Sequence, residues 1–235
     1  MGEHWIHLGL MVGGRFDAAH PQVLCYAEID GRPTLVGLAY ALPLEPGETP
    51  PDFPRGAHGA QAWHHHSGSV AEESVPFPEH MSGAGGSAGV RLAMMHAWVW
   101  LPNPDGTFAA DNWALPFVRA GLAPPADAHP AAARALSLIS GGDAYYLQLF
   151  RTLADPSPSQ DRKVRAVLAR FRGQVAGWLG GRAASEAQPH DAELFMLSDL
   201  WTRLWTEIGA TLEPESAARL REVVLSTHAS SAKPR

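Results

Sequence analysis

Histidine is the residue type in this chain best suited to chemistry, and three histidines stand together in the run Trp63-His64-His65-His66. In an extended segment successive side chains alternate between faces, so His64 and His66 project together while His65 points away. Two neutral imidazoles on one face can begin a site for zinc, copper, iron or nickel, although consecutive histidines also occur in surface loops. We therefore predict that His64 and His66 bind a transition metal ion.

A third ligand has to come from another part of the chain. His96 is the leading distant partner, and Glu72 lies close to the histidine run in sequence. In an extended conformation His96 shares its face with Trp98 and Trp100, so this face is either the wall of a pocket or part of the core. Large rings beside an imidazole exclude water, and they thereby change the redox potential of a bound metal or the acidity of its bound water. Together with Trp63, these tryptophans are expected to line the site.

Three further histidines are candidates for completing the metal shell. His4 and His7 are three residues apart, which places them on one face of a helix but on opposite faces of a strand, so we expect only one of them to join the site. His20 either points into the same pocket or caps a turn. Asp111 and Asn112 lie in an aromatic loop and could orient a ligand imidazole by pairing with its second ring nitrogen.

Cys25 is the single cysteine of the chain and lies in an apolar run, which predicts a packed core residue. One cysteine forms no internal disulfide, and a Cys-x-x-Cys pair is absent from the sequence, so neither a disulfide scaffold nor a thiolate zinc finger is expected. This usage fits a reducing compartment, and we predict a cytoplasmic protein.

Five short motifs follow one another in the first 120 residues or so, and their order resembles the oil-body-associated protein family and its bacterial relatives. The resemblance implies that His64, His66 and His96 belong to one site, with His20 as a fourth member. Where that family has a glutamate before the tyrosine of its second matched strand, this chain has Ala39, so no carboxylate is expected there. The matched motifs are Leu24-Cys25-Tyr26, Leu35-Val36-Gly37-Leu38-Ala39-Tyr40, Trp63-His64-His65-His66, His96-Ala97-Trp98 and Leu115-Pro116.

Strand-forming segments surround the histidines in the first half of the chain. Residues 23–29 and 34–42 are rich in β-branched and aromatic residues, and Asp30-Gly31-Arg32-Pro33 separates them, which predicts a β-hairpin. Residues 4–12, 61–70 and 91–101 are predicted to add strands.

The second half has the pattern of a helical region. Apolar residues recur at helical spacing over residues 164–178 and 194–208, and four or five helices are expected between residues 129 and 228. Prolines stand where helices should begin and a glycine pair where one should end: Pro158, Pro189, Pro214 and Gly180-Gly181.

These patterns predict an α+β protein, with a small antiparallel sheet and long loops in the N-terminal half and a helical C-terminal half. A His/Trp-rich region of residues 1–122 is followed by a helical region of residues 123–229, either as two units or as one continuous domain, and by a disordered tail at residues 230–235.

Composition restricts the partners. The net charge of −6, without long runs of one sign, disfavours nucleic acid, and no apolar run is long enough to span a membrane. We therefore expect a soluble metal-binding protein with one zinc, copper or iron ion that acts on a small molecule by hydrolysis or oxidation if a coordination position stays open. The alternative is a binding or assembly module whose Trp and His residues line an interface or an apolar ligand pocket. The sequence is compatible with a homo-oligomer.

Overall fold

The structure is a computed structural model that describes residues 3–13, 15–44, 48–53, 62–66, 91–182 and 188–225. It divides into two compact units, Met1–Asn112 and Trp113–Arg235. The described part of the first unit contains a five-stranded antiparallel sheet, and that of the second contains helices. The α+β class predicted from the sequence is therefore confirmed.

The sheet has the strand order β1-β2-β3-β5-β4, and each neighbouring pair is antiparallel. Its strands are β1 (Glu3–Ile6), β2 (Val23–Ile29), β3 (Arg32–Leu44), β4 (Trp63–His66) and β5 (Arg91–Trp98). The predicted hairpin is β2–β3, and its two-residue turn is Asp30-Gly31, with φ of 51° and 71°. An Asp-Gly pair with positive φ at both positions matches the twist of the flanking strands, so β3 begins at Arg32, two residues earlier than predicted.

The prediction of one strand over residues 4–12 is wrong beyond Ile6. The chain instead enters the short helix α1 (Leu8–Val12), because the His7 imidazole accepts a hydrogen bond from the Leu10 backbone N–H at 3.2 Å and so caps the helix. Elsewhere, β5 ends at Trp98 rather than at residue 101, and β4 covers Trp63–His66 of the predicted 61–70. The flanks of β4 at residue 61 and at 67–70 lie outside the described residues.

One face of the sheet carries an apolar cluster. Tyr40, Trp63 and Met95 lie side by side on neighbouring strands, and Phe16 and Phe53 pack against them. Aromatic burial of this kind supplies much of the stability of a sheet face. The opposite face of the same sheet holds the polar residues described below.

The helical unit contains six described α-helices, five of which lie between residues 129 and 228, in agreement with the prediction. They are α2 (Leu115–Arg119), α3 (Pro130–Ser137), α4 (Gly142–Ala154), α5 (Pro158–Gly180), α6 (Asp191–Gly209) and α7 (Pro214–Leu225). Ser157 opens α5 with a capping box, in which its hydroxyl accepts from the Gln160 N–H and the Gln160 side chain accepts from the Ser157 N–H. Inside the unit, Tyr146, Trp201 and Trp205 meet edge to face. Among the described helices, none has both the length and the apolar character needed to cross a bilayer.

Candidate metal centre

Three strands bring a thiol and two imidazoles together. His4 comes from β1, Cys25 from β2 and His96 from β5, and one ligand atom of each lies within 4.8 Å of the other two. The Nε2 atoms of His4 and His96 lie 3.4 Å apart. Zinc and copper ions bind nitrogen and sulfur donors of these types, so this cluster could hold a metal ion.

The register of the sheet places these residues on one face. His4 pairs with Cys25, Cys25 pairs with Gly37, and Gly37 pairs with Trp98. Directly paired residues on neighbouring strands point to the same side of a sheet, and so do residues two apart on one strand. His96 is two residues before Trp98, and it therefore faces the same side as His4 and Cys25.

Small residues on β3 leave room for the two imidazoles to meet above the sheet. β2 and β3 lie between the strands of His4 and His96, which is about 14 Å over three interstrand spacings. Ala39 pairs with His96 and Gly37 with Trp98, so β3 adds little bulk beneath the rings. A register shift between Cys25 and Tyr26 marks a bulge, and a bulge bends its strand and increases the local twist.

Trp98 supports the His96 ring and depends on Gly37. The rings of His96 and Trp98 stack with centroids 5.4 Å apart and planes 17° apart, and the Trp98 indole N–H donates to the Ala109 carbonyl at 2.8 Å. A Cβ atom added to Gly37 would lie 2.9 Å from Trp98 Cε3, closer than real Cβ contacts. The glycine thus allows the indole to lie directly over β3.

His64 stands next to the cluster on the edge strand β4. It pairs with Met94, two residues from His96, and therefore shares the same face. Its ring stacks on that of His96, with centroids 5.1 Å apart and planes 15° apart. His4 and His64 are half-buried, whereas Cys25 and His96 are buried, so the two outer imidazoles lie nearer to solvent.

Burial controls the ionisation of the thiol. Removal of Cys25 from water raises its pKa to about 12, because a thiolate loses its hydration in an apolar environment. Without a metal the side chain is therefore a neutral thiol at physiological pH. A metal ion would have to displace this proton, which couples metal binding to proton release.

The structure brings His4 and His96 together and places His64 beside them. Cys25 was expected in the core on the grounds of its apolar neighbours, and it is indeed fully buried, but it faces two imidazoles. The pairing of β1 with β2 puts His4 opposite Cys25, and this pairing makes Cys25 a candidate ligand as well as a packing residue. No local sequence signal carries that pairing.

Two of the predicted ligands lie elsewhere. His7 caps α1, so of the pair His4 and His7 only His4 reaches the cluster. His20 is exposed and pairs with the Asp17 carboxylate at 2.7 Å, and this hydrogen bond lowers the pKa of Asp17. Of the two roles predicted for His20, the structure therefore agrees with the one in a turn rather than with the one in the pocket.

Two other predicted ligands lie partly or wholly outside the described residues. The backbone of His66 pairs with Leu92 in β4, but its side chain lies outside the described residues. Glu72 lies outside them altogether.

The other tryptophan, aspartate and asparagine residues that were predicted to line the metal site lie in different parts of the first unit. Trp63 is on the opposite face of the sheet, where its indole N–H donates to the Phe53 carbonyl at 3.0 Å. Trp100 follows the end of β5 and is 41% exposed. The side chain of buried Asn112 donates to the Leu101 carbonyl at 3.3 Å, and the backbone carbonyl of Asp111 accepts from the Asn103 amide. In these contacts both residues shape the loop after β5.

Comparison of the chain with protein-family models, with curated proteins and with solved structures gave no match. The functional argument therefore depends on the chemistry of the cluster itself.

Proposed function

We propose that the protein binds one transition metal ion through His4, Cys25 and His96, and that this ion is zinc. The observation that carries the proposal is the 3.4 Å separation of the two Nε2 atoms above a buried thiol. With zinc–nitrogen bonds of about 2.0–2.1 Å, two nitrogens of a tetrahedral site lie about 3.3 Å apart. The two Nε2 atoms already lie at about that separation, and the Cys25 sulfur is within 4.8 Å of a ligand nitrogen of each histidine.

The donor set also limits the choice of metal. Thiolate and imidazole disfavour magnesium and calcium, which prefer oxygen ligands, and suit zinc or copper. Zinc has no geometric preference of its own and accepts mixed nitrogen and sulfur ligands in a tetrahedron. The resemblance to oil-body-associated proteins remains a hypothesis, and the proposed site shares His96 with the set that it implies.

Elemental analysis of protein without a polyhistidine tag, expressed in zinc-replete medium, tests the proposal. We expect about one zinc ion per chain, lost in Cys25→Ala and in His96→Ala. His20→Ala and His7→Ala remove histidines of the same unit outside the cluster and should retain the metal. Circular dichroism of each variant verifies that it folds.

Two results would contradict the proposal. One is a wild-type protein that contains no zinc or copper after metal-replete expression. The other is a folded Cys25→Ala or His96→Ala variant that binds zinc as tightly as the wild type does. Elemental analysis also distinguishes zinc from copper, and copper in place of zinc would overturn the choice of zinc.

A further inference from the structure

On the basis of the proposed metal site, we infer that the bound metal keeps one exchangeable coordination position, and that His64 donates a hydrogen bond to the small anion or water that occupies it. Among the described side chains, no fourth histidine, cysteine or carboxylate joins His4, Cys25 and His96 within the same distance. Three protein ligands and one exchangeable ligand are the arrangement of catalytic zinc sites, whereas four protein ligands are that of structural ones.

The orientation of the His64 ring makes His64 a neighbour of the proposed metal site rather than a metal ligand. The lone pair of an imidazole nitrogen lies in the plane of its ring, so a metal bound to His96 lies in the plane of the His96 ring. The His64 ring is stacked on that ring, nearly parallel to it and displaced by 5.1 Å between centroids. Its nitrogens therefore point alongside the metal position rather than at it, and this favours a contact with a group bound to the metal over a bond to the metal itself.

Burial and charge indicate the kind of ligand. Cys25, His96 and Trp98 are buried, while His4 and His64 are half-buried, so a small molecule would approach from the side of these two outer imidazoles. A zinc ion with one thiolate carries a net charge of about +1, which attracts anions. An imidazole N–H adds a charge-assisted hydrogen bond. The class of ligand is therefore a small anion, such as a carboxylate, bound through one atom to the metal.

Cobalt substitution with azide as the probe tests this inference on the full chain. Co²⁺ bound to Cys25 produces a thiolate charge-transfer band, and its visible bands report the number and type of ligands. We expect azide to change the visible bands saturably in the wild type. His64→Ala should leave the azide-free spectrum unchanged and weaken azide binding about tenfold or more, since it removes a hydrogen bond to a charged ligand.

A conservative variant separates the hydrogen bond from packing. His64→Gln retains an N–H donor, so we expect it to bind azide more tightly than His64→Ala does. His20→Ala serves as the matched control and should behave as the wild type in every titration. If His64→Ala unfolds, the azide titration of wild type and His64→Gln still decides the outcome.

The two proposals fail in different ways. A cobalt protein with an intact charge-transfer band and no response to azide would overturn the exchangeable position and leave the metal site standing. An azide-free spectrum altered by His64→Ala would show that His64 is a ligand, which also overturns the inference. The absence of the thiolate band would overturn the proposed metal site itself.

Discussion

The imidazoles of His4 and His96 lie 3.4 Å apart, Nε2 to Nε2, although 92 residues separate them in sequence. Two ring nitrogens at this distance cannot both carry a hydrogen between them, so at least one of them presents a lone pair. A proton on either nitrogen would occupy the space where the proposed site has a metal. Protons and metal ions therefore compete for the same nitrogens, and binding should weaken in acid.

Zinc should stabilise the folded protein. A ligand that binds only the native state adds about 2.7 kcal/mol to the free energy of unfolding at a hundred times its dissociation constant. We expect urea unfolding of the wild type to shift to higher denaturant on addition of zinc. His4→Ala and Cys25→Ala should lose most of this shift, and His20→Ala should keep it. An equal shift in all four proteins would indicate zinc binding elsewhere.

The thiol of Cys25 should react slowly in the folded, metal-free protein. Because its pKa is raised from 9.0 to about 12, the thiolate fraction at pH 8 is about a thousandth of that of an unperturbed cysteine. Burial slows the reaction further. We expect Ellman's reagent, with chelator present, to modify Cys25 at least about a thousandfold faster in urea than in buffer. Comparable rates in the two conditions would contradict the buried position.

The same pKa predicts an alkaline loss of stability in the metal-free protein. A raised folded-state pKa means that the native state favours the neutral thiol, so the contribution is complete below pH 9 and is lost as the pH rises toward 12. The loss is at most about 4 kcal/mol, which is three units at about 1.36 kcal/mol each. Cys25→Ala carries no thiol and should lack this component. The measurement is the free energy of unfolding of both proteins between pH 8 and 11.

Gly37→Ala should disturb both the sheet and the site. The new Cβ would lie 2.9 Å from the Trp98 ring, which stacks on His96, so we expect a destabilisation of about 1–3 kcal/mol and weaker zinc binding. Gly173→Ala is the matched control, because Gly173 is exposed within α5 with nothing within 4 Å of an added Cβ. Gly173→Ala should raise the free energy of unfolding by up to about 1 kcal/mol and leave zinc binding unchanged. The measurements are urea unfolding and zinc titration.

The fold could be predicted wherever its determinants are local. The Asp30-Gly31 turn fixes the β2–β3 hairpin through two positive φ values, and Pro158 and Pro214 begin helices because proline suits a first helical turn. Of His4 and His7, only His4 lies in a strand and in the cluster, because β1 ends at Ile6. The histidine cap of α1 is equally local, but an imidazole is an uncommon capping group, so the pattern favoured a strand there.

The site could be predicted only in part, because it depends on strand order and register. Cys25 becomes a neighbour of His4 through the β1–β2 pairing, and His96 reaches them across β3 because Gly37 and Ala39 are small. Neither fact follows from spacing along the chain. In the sequence, Ala39 stands where the resembling family has a glutamate. In the structure, its small side chain leaves space beneath the imidazole rings of His4 and His96.

The edge strand β1 offers a local measure of metal binding. It has four residues, pairs only with β2 among the described strands, and alternates exposed and half-buried side chains, of which His4 is one of the two half-buried. Short edge strands open readily, and amide hydrogen exchange reports that opening. A bond from His4 to a metal held by Cys25 and His96 would tie β1 to two inner strands, so zinc should slow exchange at residues 3–6. In His4→Ala, zinc should leave exchange in β1 unchanged, while amides in α5 should be insensitive to zinc in both proteins. Zinc-dependent protection of β1 that survives His4→Ala would assign the effect to another ligand.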